Sequence, residues 1–338
     1  MTSRSRQLLA PGLTIVLLVL ATCAGPGCGG GSRPSPAAPT SIAPVAQAYL
    51  TELIAIMEAH SLNRLKIDWA SFRTGVFSAA GTAQNIESTF PAIQVALNLL
   101  GDSHSRYQPA RGGLSLAGTR RACSGQDVGT PAIPAGVGYV RVGRFSGTAA
   151  EATAFANGLQ QTIAAADRGT LEGWIVDVRG NTGGNMWPMI AGVGPVLGEG
   201  RVGYFIDPVG VEIPFDYRDG ASWEGGSLAQ RVDAPYRLRR EAPRVAVLFD
   251  GATASSGEAV VIAFQRRPDT RSFGAVSCGL STANEGYTLS DGATLLLTVA
   301  VMADRTKFQY GSAIVPDEDL TDPRATEQRA AEWLHTGR

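Results

Sequence analysis

The chain has 338 residues, 44% of them hydrophobic, and a formal net charge of −1. The length allows roughly one to three domains. The near-neutral charge gives no basis for a nucleic-acid partner or for electrostatic docking on an anionic membrane.

The first residues read as an export signal. Arg4 and Arg6 form a positive start, and Leu13 to Ala21 form an apolar run too short to span a bilayer comfortably. Residues 1–28 are therefore expected to be a signal peptide. Cys23 follows Leu20-Ala21-Thr22, a sequence similar to a bacterial lipoprotein cleavage box, and Cys28 precedes Gly-Gly-Gly-Ser. Either cysteine is a candidate for lipid attachment. Thr22 and Gly25 fit that motif imperfectly, so cleavage without lipid stays open. Residues 29–43 are rich in Gly, Ser, Pro and Ala, the composition of a flexible linker. The mature protein is expected outside the cytoplasm, periplasmic or tethered to the envelope. In that oxidising setting Cys123 and Cys278 are a candidate disulfide, with two separate thiols as the alternative. These two cysteines and the histidines His60, His104 and His335 show no metal-ligand spacing, and no cofactor is implied.

Further along, Leu50, Leu53, Ile54 and Met57 follow the spacing of one buried helix face. Phe90, Ile93, Leu97 and Leu100 repeat it, with Gly101 as a C-terminal stop. A short helix near Trp69 to Arg73 lies between them. Gly136 to Phe145 reads as a strand, and Glu151 to Asp167 as a helix with Phe155, Leu159 and Ile163 on one face. Trp174 to Val176 and Arg244 to Phe249 are apolar runs suited to covered strands. Ser256 to Arg267 is a predicted helix, Leu295 to Met302 a predicted strand, and Thr326 to Leu334 a short surface helix. The alternation predicts an α/β fold after a helical start.

Three segments carry chemistry. Asp250-Gly-Ala-Thr-Ala-Ser255-Ser256-Gly257-Glu258 lies between a strand and a helix. A serine there faces free backbone N–H groups and the positive end of the helix dipole, a setting suited to an oxyanion. Read alone, the segment fits better a plain helix start, with Ser255 as N-cap and Glu258 at N3 in a capping box. Asp177-Val-Arg179-Gly-Asn181-Thr-Gly183-Gly184-Asn185 follows another strand. Its glycine pair allows close approach to a ligand, or is a simple turn. Leu100-Gly101-Asp102-Ser103-His104-Ser105 places a histidine on a loop, where histidines are more often structural than catalytic.

Together the ordered segments Leu-Gly-Asp-x-His-Ser, Asp-x-Arg-x-Asn-x-Gly-Gly and Thr-Ala-Ser-Ser-x-Glu resemble the C-terminal-processing and tricorn-core serine peptidases, the tail-specific protease superfamily. The resemblance runs from about residue 50 to about residue 318 and ends near Val315-Pro316-Asp317. It implies a β/α core like that of ClpP and crotonase over residues 119–330, behind a small helical N-terminal domain over 44–118. It implies Ser255 as nucleophile, with the N–H of Ser256 and one of Gly183 or Gly184 as oxyanion hole.

The processing branch uses a lysine about 25 residues after the serine, where this chain has Leu280. Its two lysines, Lys66 and Lys307, do not fit that position. The tricorn-like branch uses a histidine after a serine, and Ser103-His104 matches it, so His104 is the expected base. Ser103, Glu285 and Asp304 are the candidates to orient it. The stretch from His104 to Gly136 is too short for a PDZ domain, so recognition of substrate C-termini does not carry over. The resemblance implies hydrolysis of a peptide or protein substrate through an acyl-enzyme. A catalytically inactive binding protein of the same fold, and an esterase using the same serine, are the alternatives.

Overall fold

A computed structural model describes residues 41–338, apart from 120, 127 and 130. The proposed signal peptide and the candidate lipidation sites Cys23 and Cys28 lie outside the described residues. No helix among the described residues is long and apolar enough to cross a membrane.

The chain begins with helices α1 (Pro44–His60), α2 (Trp69–Ala80) and α3 (Phe90–Leu99). Gly101, just past α3, has φ +69°, the left-handed conformation that stops a helix. Short strands β1 (Arg106–Gln108) and β2 (Leu116–Ala117) follow. Next come β3 (Val137–Arg141), α4 (Ala149–Ala166), β4 (Gly173–Asp177) and α5 (Met186–Leu197). A run of strands comes next: β5 (Gly200–Ile206), β6 (Glu212–Arg218), β7 (Ala221–Glu224) and β8 (Ser227–Arg231). The chain closes with β9 (Arg244–Phe249), α6 (Ser256–Phe264), β10 (Thr270–Gly274), β11 (Thr282–Thr288), β12 (Thr294–Asp304), β13 (Glu318–Asp319) and α7 (Pro323–Thr336).

The α/β expectation holds, as two sheets. A five-stranded sheet, ordered β13-β10-β9-β4-β3, is parallel throughout. Its strands alternate between two covered faces. Trp174, Val176, Val245 and Val247 face the core shared with α5 and α6. Ile175, Ala246 and Leu248 face Ala330, Trp333 and Leu334 of α7. Burial on both faces is why these strands are apolar without a break. The expected surface helix at the C-terminus is thus a covering layer of the sheet.

The second sheet, ordered β2-β1-β12-β5-β6-β7-β8 with β11 also on β12, is antiparallel. Leu289, Ala293, Leu295 and Leu297 of its β11–β12 hairpin share a core with α1, α2 and α3. The core of α1, α2 and α3 thus extends past residue 118 into β11 and β12.

Two helices differ from the sequence expectation. The helix after Ser255 ends at Phe264 rather than Arg267, because Gln265 is extended and Arg266 turns to φ +56° ahead of Pro268. Helix α5 was not anticipated. It contains Gly192, Gly194 and Pro195, poor helix formers, and nearly all its residues are buried, so it lacks an amphipathic stripe.

Candidate active site

The loops that leave the carboxyl ends of β3, β4 and β9 meet, the usual position for a ligand crevice in a parallel sheet. Asp250 ties two of them. Its Oδ1 accepts the N–H groups of Gly180, Ala252 and Thr253 at 3.0, 3.1 and 3.1 Å. Asn181 ties the third. Its Nδ2 donates to the carbonyls of Val142 and Gly143 at 3.0 and 3.2 Å, and its carbonyl accepts from Ala254 N–H at 2.9 Å. Asp177 and Arg179 form a buried ion pair at 2.7 Å, which Glu327 of α7 extends at 2.8 Å. These polar residues of the second motif are buried, hold the loop in place and do not line the cleft that contains Ser255.

Ser255 precedes α6 with φ +54° and ψ −119°. An N-cap residue ordinarily sits in the extended region. A non-glycine residue at positive φ costs on the order of 1–3 kcal/mol and persists where its surroundings fix it. Here Glu258 fixes it. Its Oε2 accepts Ser255 N–H at 2.9 Å and Leu280 N–H at 2.7 Å, and its Oε1 accepts Gly279 N–H and Ser277 Oγ–H at 2.8 and 2.5 Å. The carboxylate half of the expected capping box is thus present, around a serine in an unusual conformation. Burial pushes the Glu258 carboxyl up, and its four donors pull it down.

The glycine pair lies against this turn. A Cβ on Gly183 would be 2.8 Å from Ser255 Cβ, and one on Gly184 would be 1.8 Å from the carbonyl oxygen of Phe145. Gly183 N–H donates to Asn181 Oδ1 at 2.9 Å. Gly184 N–H has no such acceptor among the described residues, while its carbonyl accepts from Ser256 Oγ at 2.6 Å.

His104 and Ser255 line one cleft of about 860 Å³, without a hydrogen bond between them. Trp187, Phe205 and Ile213 give the cleft an apolar wall. His104 is 4% exposed. Desolvation, and to a lesser degree Arg106, lower its pKa to about 4, against a smaller opposing effect of Asp102. Its Nδ1 is 2.8 Å from Thr282 Oγ1.

None of the three expected orienting residues bonds to this ring. Ser103 makes no hydrogen bond to it. Glu285 lines the cleft but accepts Tyr287 O–H at 2.7 Å. Asp304 is fully buried at the end of β12, where its oxygens hold Thr306, Phe308 and Tyr310. Thr282 carried no motif in the sequence and was missed. Its only signal was its place shortly after the position of the processing-branch lysine. Leu280, at that position, contributes its N–H to Glu258, and Lys307 pairs with Glu212 at 2.8 Å. Cys123 and Cys278 are joined in a disulfide with Cα atoms 5.1 Å apart. Cys278 N–H also donates to Thr253 at 2.9 Å, so the disulfide fastens the loop before β3 behind the Ser255 turn.

The family model for peptidase family S41 matches residues 136–320. A nisin-resistance protein from Lactococcus lactis subsp. lactis is 27% identical over 294 residues, 87% of this chain and 88% of that protein. The solved structure of a lipoprotein from Streptococcus agalactiae superposes with a TM-score of 0.70 at 21% identity, covering 87% of this chain and 98% of that one. The photosystem II D1 C-terminal processing protease superposes with a TM-score of 0.55 at 16% identity, covering 86% and 97%. These structural likenesses concern the fold.

Proposed function

The chain belongs to peptidase family S41, and we propose that it is an extracytoplasmic serine peptidase working through Ser255 and His104. The observation that carries this reading is the placement of Ser255 at positive φ before a buried helix, in the same cleft as a neutral histidine.

His104 Nε2 takes the hydroxyl proton as Ser255 Oγ bonds to the substrate carbonyl carbon. The oxyanion lies against the N–H groups of Ser256 and Gly184. Gly184 is the donor rather than Gly183, whose N–H is held by Asn181. The proton passes to the leaving amine as the C–N bond breaks, and water then releases the acyl group. The substrate is a peptide or protein lying in the cleft between the two sheets. The gap between His104 and Ser255 closes when substrate binds, as catalytic hydrogen bonds often tighten only in the complex.

A relative named for nisin resistance and a structural neighbour described as a lipoprotein support an envelope location. The signal peptide over residues 1–28 and lipid attachment at Cys23 or Cys28 belong to the same proposal. Metabolic labelling with an alkyne fatty acid, lost on Cys23→Ala or Cys28→Ala, tests the tether.

The catalytic test is labelling of purified protein with a fluorophosphonate, in wild type, Ser255→Ala and His104→Ala, alongside peptide and ester hydrolysis. Labelling lost in both variants is expected. A folded wild type that neither labels nor hydrolyses overturns the proposal in favour of a binding protein, and ester-only turnover points to an esterase.

A further inference from the structure

We propose that Thr282 is the positioning residue of His104, doing with a neutral hydroxyl what an acidic side chain does in a Ser/His/acid triad. The proposal rests on the Ser255/His104 reading and adds the member that reading lacks.

The base can accept a proton at Nε2 only if its hydrogen sits on Nδ1. Among the described residues Nδ1 has one partner, Thr282 Oγ1 at 2.8 Å, and both residues are buried, at 4% and 8% exposure. The nearby acid does not compete for the ring. Asp102 Oδ1 accepts the backbone N–H groups of His104 and Ser105 at 2.9 and 2.6 Å, and its Oδ2 accepts Ser105 Oγ–H at 2.8 Å. Asp102 therefore holds the loop, and Thr282 holds the imidazole.

Thr282 is itself tightly placed. Its branched side chain has few rotamers. It opens β11, paired with Val301 of β12, and its N–H donates to Leu280 at 2.8 Å. The same short stretch carries Cys278, joined to Cys123, and the Gly279 and Leu280 N–H groups that grip Glu258. One segment, residues 277–282, thus orients the nucleophile through Glu258 and the base through Thr282.

The chemistry balances. Ser255 loses its proton to Nε2 while Nδ1 keeps its hydrogen, donated to Thr282 Oγ1 before and after the transfer. The hydroxyl fixes the tautomer without adding a negative charge, so it leaves the imidazole a desolvated base.

The test is the ¹⁵N imidazole spectrum of His104 in the full chain, assigned by its loss in His104→Asn. Wild type and Thr282→Ser are expected to hold the hydrogen on Nδ1. Thr282→Val is expected to mix the two tautomers, and to lower kcat roughly ten-fold or more with KM little changed. Thr282→Ala gives the same readings if the valine variant does not fold. An unchanged tautomer ratio in Thr282→Val or Thr282→Ala overturns the proposal, as does loss of the Nδ1 hydrogen in Thr282→Ser. The spectrum needs no turnover. A wild type inert to fluorophosphonate with a Thr282-dependent tautomer would sink the peptidase reading and leave the positioning role standing.

Discussion

Glu258 Oε2 accepts the backbone N–H of Ser255 at 2.9 Å, from the third residue of the helix that Ser255 precedes. The same carboxylate is gripped by Ser277, Gly279 and Leu280. A residue that looks like an ordinary cap is therefore what holds the serine turn against the next segment. Glu258→Gln would keep the shape but turn an amide NH₂ toward backbone donors. The expected outcome is a loss of about 1–3 kcal/mol in urea denaturation, because a buried donor is left unmatched. Fluorophosphonate labelling should slow in parallel. Labelling at the wild-type rate would show that Ser255 is held in some other way.

The glycine pair should respond unequally to alanine. At Gly184 the new Cβ would overlap the Phe145 carbonyl at 1.8 Å, so backbone has to move. Gly184→Ala is expected to lower the melting temperature markedly. At Gly183 the Cβ would press on Ser255 Cβ at 2.8 Å and approach Ser256 N at 3.1 Å. Gly183 also has φ +96°, so Gly183→Ala is strained as well; it is expected to lower the melting temperature less than Gly184→Ala, and to lose labelling. Full labelling in a folded Gly183→Ala variant would argue against this crowding of the site.

His104 predicts a dependence of stability on pH. Its folded pKa is about 4, below its ordinary value of 6.5, so the unfolded chain binds the proton first. The stability tied to the neutral ring is present above about pH 6.5 and is lost as pH falls from there toward 4. The whole loss is about 3 kcal/mol for a shift of this size. Glu258, raised by burial, acts with the opposite sign, gaining folded-state stability as pH falls. Comparing urea midpoints of wild type and His104→Asn between pH 7.5 and 4.5 isolates the histidine. Identical slopes would refute the buried neutral ring. In turnover, kcat/KM should stay level down to about pH 5, since the free enzyme's base protonates only near 4.

The disulfide closes a sequence separation of 155 residues. Replacing both cysteines by serine is expected to cost about 2–5 kcal/mol. It should also slow labelling of Ser255, because Cys278 adjoins the Gly279 and Leu280 N–H groups that grip Glu258. A double variant with unchanged stability and labelling would show that the segment is held without the bond.

Much of the parallel sheet was legible in advance. Trp174 to Val176 and Arg244 to Phe249 are apolar because both faces of that sheet are covered. The antiparallel strands β5 to β8 were not legible, since their short, half-buried segments carry mixed residues such as Glu212–Arg218. The packing of the first helices was hidden as well. The helices at the start bury their stripes against Leu295 and Leu297 of β12, and no local pattern in the sequence pairs elements so far apart.

The sequence by itself determined the family signature and the turn that presents Ser255, because a strand, a tight turn and a helix are local structures set by neighbouring residues. It also singled out His104 and set aside both lysines. Only the tertiary structure decided what supports them. Thr282 rather than Glu285 or Asp304 meets the imidazole, and among the described residues the Gly184 N–H has no acceptor while that of Gly183 is held by Asn181. Those choices depend on distances of about 3 Å between residues far apart in the chain, and a hydrogen bond is that short-ranged.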